Sequence, residues 1–350
     1  MDKKKKIITA ILASVSGISG AAVAGAVLAY DAFFPRYDRP DYELKPGMYC
    51  YERFNGSLQR ELISFKSKKN TLQAYYYPSA ENKGLIVFCP GMHAGADDYL
   101  PAFEYLVGKG FSVFSFDYTG VYDSTGSDTV GMCQSLIDTD NALKFIKEQD
   151  RFKDIPLFVM GHSWGGYAAS SVLSIHKDIR AMCGIAPMNN GFTLILEKGQ
   201  QYAGKMGTMP KPALSAYQKI LFGDYTKYNG VKGINESNVP VVIAQGVEDK
   251  IITYDGQSIT AKKSEITNPN VTYYIGKGLL GDHCNVWHSI NSSVYQLEVD
   301  GQLKLLEIEK GDKLTREEKV EFYKTVDHRL YSEVNVELFD LFVETFNRTL

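Results

Sequence analysis

Short apolar runs separated by longer mixed stretches dominate the middle of the chain. Leu85–Cys89, Ser112–Phe116, Leu157–Met160, Ala181–Ile185 and Val241–Ala244 are largely apolar, and Val271–Ile275 forms a sixth such run. Runs of this length predict strands buried on both faces, as in a parallel sheet, with the stretches between them as crossover helices. Leu136–Gln149 carries Ala142, Leu143 and Ile146 at helical spacing, and Tyr254–Lys263 predicts a weaker helix. Ahead of these, Glu61–Phe65 and Leu72–Tyr77 flank the polar turn Lys66–Asn70 and predict an antiparallel hairpin. The order of elements is that of an α/β fold, a mostly parallel central sheet flanked by helices.

Asn189–Asn238 is longer than a plain crossover needs and predicts a helical cap insertion. Its Phe192, Tyr202, Met206, Met209, Tyr217 and Phe222 suit either an apolar binding wall or the cap's own small core. Ile290–Asp312 is a second addition. Thr315-Arg316-Glu317-Glu318 then opens a helix with a capping box, and Val334–Phe346 sets Val336, Phe339, Phe342 and Val343 on one face for packing on the sheet.

The N-terminus adds a different kind of segment. Lys3–Lys6 precede an uncharged stretch, Ile7–Tyr30, long enough to span a bilayer. An uncleaved membrane anchor is favoured over a cleaved signal, for which Ala22-Val23-Ala24 would supply the small-residue site; a buried or peripheral helix is the third reading. With the lysines retained in the cytoplasm, the first two readings put the rest of the chain outside it. The expected organisation is an anchor or signal over 1–34, a linker over 35–47 rich in Pro and charge, and one domain with its cap over 48–350.

The 38 basic and 41 acidic residues, net charge −3, leave no basic stripe beyond the first lysines, which speaks against a nucleic-acid partner. Five cysteines without paired ligand spacing indicate neither a disulfide framework nor a metal site, and Cys89 and Cys183 inside apolar runs read as small buried side chains.

Candidate chemistry centres on Gly161-His162-Ser163-Trp164-Gly165. The five-residue pattern recurs by chance, but here it follows the run Pro156–Met160 and precedes the helical stretch Tyr167–Leu173, the strand-turn-helix setting that exposes a nucleophilic serine. A serine hydroxyl needs a base, and the base a carboxylate to orient it. Asp249, just beyond Val241–Ala244, is the preferred acid over Glu248 and Asp255. His283, ending the loop Gly278–His283, is the preferred base over His288, whose direction a helix would fix; His93, His162, His176 and His328 have ordinary surface or turn readings. Backbone amides of Met92, after Pro90-Gly91, and of Trp164 are the expected oxyanion donors.

These residues resemble the α/β-hydrolase superfamily, and within it the serine aminopeptidase and monoglyceride lipase-like branch, in several blocks from Gly84 to His283. Phe116–Gly126 resembles that branch's Asp-x-x-Gly-x-Gly-x-Ser-x-Gly segment, with Tyr122 where the second glycine is usual, and Pro90 replaces the histidine of its His-Gly-x oxyanion segment. The resemblance implies hydrolysis of an ester, thioester or amide through an acyl-enzyme on Ser163, without metal or organic cofactor. A carboxylic ester is the expected substrate, small or lipid-like. An aminopeptidase would need an acidic group in the cap, for which Glu197 is the candidate. An acyltransferase on the same fold and a non-catalytic binding protein are the remaining alternatives.

Overall fold

The computed structural model describes residues 20–47, 49–54, 56–204 and 211–350. Of the apolar segment Ile7–Tyr30, residues 7–19 lie outside the described residues, as do Met48 and, in the cap, Met206, Met209 and the Tyr202 side chain.

All eight predicted strands form, in one sheet. They are β1 (Glu61–Ser67), β2 (Asn70–Tyr77), β3 (Leu85–Cys89), β4 (Ser112–Phe116), β5 (Leu157–His162), β6 (Ile179–Ile185), β7 (Val241–Gly246) and β8 (Val271–Gly276). The spatial order is β1-β2-β4-β3-β5-β6-β7-β8. β1 and β2 are an antiparallel hairpin, β2 joins β4 antiparallel, and every later pairing is parallel. Strand alternation divides the core. Leu85, Val87 and Cys89 of β3 with Leu157 and Val159 of β5 face one layer, while Ile86, Phe88, Phe158 and Met160 face the other. Both layers are covered, so Leu85–Cys89 and Leu157–Met160 are apolar at every position.

Helix α1 (Gly20–Ala32) comes first, then α2 (Leu100–Gly108), α3 (Gln134–Lys147), and α4 (Trp164–Ser171) after the Ser163 turn. The cap contains α5 (Gly191–Ala203), α6 (Lys211–Phe222) and α7 (Gly230–Ser237). The chain ends with α8 (Ile290–Lys310), α9 (Arg316–Tyr323), the short α10 (His328–Tyr331) and α11 (Val336–Asn347). α3, α4 and α7 cover one face of the sheet; α2 and α11, the latter through Leu338, Phe339, Phe342 and Phe346, cover the other. The capping box of α9 is present, Thr315 and Glu318 each bonding the other's backbone amide.

The helix expected over Tyr254–Lys263 does not form; only a 3-10 turn, Thr260–Glu265, is present. The backbone there bonds sideways to the end of β6 instead, with Asn189 N donating to Gln257 O (2.8 Å) and Ile259 N to Pro187 O (3.0 Å). Those groups are unavailable for a helical ladder.

α1 lies on the domain. Val23, Val27, Tyr30 and Phe34 are buried in the same core layer as α3 and α4. Tyr30 meets Tyr217 of α6 edge-on at 5.9 Å, its hydroxyl accepts the Met132 amide (3.1 Å), and Tyr217 Oη donates to Asp31 (2.9 Å). Residues 35–47 continue along the surface. Arg36 donates to the carbonyls of Tyr122, Ser124 and Gly126, and Arg39 to Asp97, Asp123 and Tyr75. Among the described residues no helix is long and apolar enough to cross a membrane.

Candidate active site

Ser163 sits between β5 and α4 with φ 56° and ψ −114°, a conformation that costs a non-glycine residue on the order of 1–3 kcal/mol and persists only when its surroundings enforce it. Its amide donates to Ile185 O of β6 (2.8 Å), which holds the turn against the sheet. The flanking glycines are required by close approach: a Cβ on Gly161 would collide with the Gly165 carbonyl, and one on Gly165 with the Cys89 carbonyl of β3.

Asp249 follows β7 and is buried, 4% exposed. Its Oδ1 accepts the amides of Ile251 and Ile252 (2.8 Å each); its Oδ2 accepts Gln245 Nε2 (2.9 Å) and His283 Nδ1 (2.7 Å). A carboxyl group has about four lone-pair sites, and here all accept, which fixes the side chain and orients the His283 ring. Glu248 and Asp255, the other candidate acids, are exposed. His288 closes a 3-10 turn, Asn285–Trp287, with its ring stacked on Trp287 at 4.1 Å, while Asp249 is bonded to His283. Burial pushes His288 down to about 4, so it is neutral.

Two of the histidines read as ordinary surface or turn residues are buried. His176 pairs with Asp140 (2.8 Å) beneath the cap. His162 lies under the serine turn and joins three segments: its Nδ1 bonds Tyr99 Oη (2.9 Å), its Nε2 the His283 carbonyl (3.4 Å), and Tyr99 Oη accepts the Gly91 amide (2.8 Å). With the Tyr99 hydroxyl accepting from Gly91 and donating to His162, the imidazole is the neutral Nε2–H tautomer. Burial first, and then the nearby His283, hold its pKa well below the ordinary histidine value. Sequence reasoning had no signal for Tyr99. Gln245, a polar residue near the end of an otherwise apolar run, carries a signal in the sequence for its bond to Asp249.

The loop Pro90–Gly95 passes beside this cluster. Met92 is half-buried and His93, at φ 67°, is exposed but stacks on Tyr37 at 4.0 Å. Trp164 is fully buried, with Nε1 donating to Met132 O (2.7 Å). As the first residue of α4 its amide has no acceptor within the helix. Tyr122, at the unusual position of the Phe116–Gly126 segment, keeps the φ a glycine would adopt (42°), and its hydroxyl donates to Asp98 (2.9 Å). Burial raises the carboxyls behind this loop, Asp98 to about 6 and Asp117 to about 7.

A cavity of about 420 Å³ opens between the loop and the cap. Its lining includes Met92, Met132, Leu194, Leu196 and Leu214 with α1 residues. Tyr217 and Phe222 are not among the lining residues; they are buried against α1 and α3, which makes them core rather than wall.

A mostly parallel eight-stranded sheet with helices on both faces and a serine in a strained strand-to-helix turn is the architecture of the α/β-hydrolase fold. Residues 80–232 match the family described as serine aminopeptidase, S33. Among solved structures, an esterase of Pyrococcus furiosus matches with 17% identity over 72% of this chain and 92% of that one, at a TM-score of 0.51. An acylaminoacyl peptidase of Pyrococcus horikoshii matches at 16% identity over 86% of this chain and 43% of that one, also at 0.51. An α/β hydrolase from a Penicillium species matches at 15% identity over 71% and 98%, again at 0.51. Nothing among curated protein sequences matches this chain. At these identities the structural likeness speaks for the fold, on which both esterases and peptidases are built.

Proposed function

We propose that the enzyme hydrolyses carboxylic esters, with Ser163 as nucleophile, His283 as general base and acid, Asp249 orienting His283, and the Met92 and Trp164 amides receiving the oxyanion. The observation that carries this reading is the 2.7 Å bond between a fully hydrogen-bonded, buried Asp249 and His283 Nδ1, beside the strained Ser163 turn. Held by Asp249, the ring keeps its proton on Nδ1 and leaves Nε2 free to take the serine proton as Oγ attacks the carbonyl. The same proton passes to the leaving alcohol as the tetrahedral intermediate collapses, and water repeats the sequence on the acyl-enzyme.

An ester is favoured over a peptide amine by the surroundings. Glu197, the candidate for anchoring a substrate amine, accepts Thr253 Oγ1 (3.0 Å) and does not line the cavity, whose side chains are overwhelmingly apolar. The four lysines and the apolar residues that follow them, ahead of the helix that packs on the domain, support an enzyme held at the membrane or exported; recovery in the soluble cytoplasmic fraction would oppose this.

The test is fluorophosphonate labelling of the full chain, wild type against Ser163→Ala and His283→Ala, followed by turnover of p-nitrophenyl esters and aminoacyl amides. Labelling confined to wild type with ester turnover is the expected result. Wild-type protein that resists labelling refutes the serine mechanism, and amide turnover without ester turnover refutes the substrate class.

A further inference from the structure

The cavity beside Met92 has an unusual wall. One side is the cap, through Leu194, Leu196 and Leu214, and the other is α1, through Ala26 and Ala29, with Phe33 just past its end. α1 precedes the first strand of the sheet by 28 residues, from Ala32 to Glu61, yet buried Val23, Val27, Tyr30 and Phe34 fix it to the domain. Ala26 and Ala29 leave room beside the larger Tyr30, Phe33 and Phe34 of the same wall.

The lining has almost no polar capacity. The Tyr30 hydroxyl is already engaged by the Met132 amide, and Lys198 Nζ is turned to the Lys250 carbonyl (3.1 Å). A charged or peptide-like group entering here would lose its water and find no partner. A hydrocarbon chain loses nothing and removes apolar surface from water. Apolar cavities of roughly 150 Å³ hold a benzene ring, so about 420 Å³ has room for a medium or long alkyl chain. The position fits as well, because Met92 belongs both to the cavity lining and to the loop expected to receive the oxyanion.

We infer that this cavity is the acyl-chain site of the enzyme and that the N-terminal helix Gly20–Ala32 is one of its walls, so the substrates are esters of medium- to long-chain fatty acids. The inference rests on Ser163 being the nucleophile. The acyl carbonyl lies at Ser163, and its alkyl chain runs past Met92 between α1 and α5. The N-terminal segment thereby takes part in substrate selection in addition to whatever it does in placing the enzyme.

The test uses full-chain protein and two readouts. In the first, a long-chain fatty acid with a diazirine at its tail is photo-crosslinked to Ser163→Ala protein and the adducts are mapped by mass spectrometry. Adducts in Ala26–Phe34 or Leu194–Gly199, lost when Ala26→Trp fills the cavity and kept with Leu28→Trp on the exposed side of the same helix, are expected. Adducts elsewhere, or adducts that Ala26→Trp leaves in place, overturn the assignment. In the second, the ratio of kcat/KM for p-nitrophenyl octanoate to that for the acetate falls at least about tenfold in Ala26→Trp, since excluding two methylenes is worth about that factor. An unchanged ratio overturns the assignment. The crosslinking does not require catalysis, so failure of the serine mechanism shows separately, as absent fluorophosphonate labelling with the crosslink retained.

Discussion

Replacing Asp249 with asparagine sets two demands on the side chain against each other. With the new amide's oxygen at the Oδ1 position, the Ile251 and Ile252 amides keep their acceptor. The NH₂ group then faces Gln245 Nε2 and His283 Nδ1, both donors in the native site. His283 can stay bonded only by moving its proton to Nε2, which removes the base; in a serine hydrolase this change of tautomer costs about 10⁴ in kcat, or about 5.5 kcal/mol. With the amide flipped, His283 keeps its tautomer, but two buried backbone donors lose their acceptor at about 1–3 kcal/mol each, about 2–6 kcal/mol together. The first arrangement keeps both backbone bonds and is the populated one; the active, flipped form lies about 2–6 kcal/mol above it, so the expected loss of kcat lies between about thirtyfold and about 10⁴-fold. KM should change little. The assay is turnover of p-nitrophenyl acetate by Asp249→Asn, with Glu248→Gln, altered at an exposed acid, as the control. More than a tenth of wild-type kcat in Asp249→Asn, or an equal loss in Glu248→Gln, would refute the orienting role.

Further predictions concern the supports of the site. Tyr99→Phe removes the hydroxyl that accepts the Gly91 amide and donates to His162; kcat should fall about ten- to a hundredfold with KM nearly constant, whereas a proportional rise in KM would place Tyr99 in ground-state binding. Gly165→Ala drives a methyl into the Cys89 carbonyl, so the protein should lose at least about 3 kcal/mol by urea unfolding and its fluorophosphonate labelling, and a folded, labelling variant would contradict the turn geometry. His288 has a folded-state pKa of about 4, below its unfolded value of about 6.5, so the unfolded chain takes up this proton first. Its stabilisation is therefore complete above pH 6.5 and is lost as pH falls toward 4, about 3 kcal/mol in all. In His288→Gln the slope of unfolding free energy against pH over that interval should be lower by up to about 1.4 kcal/mol per unit, with the other buried acids and His162 cancelling in the difference; equal slopes would mean His288 is protonated or solvated in the fold.

The strands were legible because burial on both faces of a parallel sheet leaves continuous apolar runs, and Ser163 because a strained turn between strand and helix demands glycine at 161 and 165. That Asp249 and His283 would meet was legible for a related reason: side chains just past the carboxyl ends of parallel strands converge on one edge, so position along the chain stands in for position in space. Local pattern failed where long-range partners set the outcome. The backbone around Ile259 reads as helical until Pro187 and Asn189 claim its hydrogen bonds. His162 looked like a turn residue because only the folded chain brings Tyr99 and the His283 carbonyl to its two ring nitrogens. Ile7–Tyr30 shows the limit most clearly. Hydrophobicity alone says that such a segment avoids water, and it is silent on what replaces the water. For Gly20–Ala32 the tertiary structure supplies the answer, because Val23, Val27 and Tyr30 pack on the domain while Ala26 and Ala29 leave a cavity beside Met92.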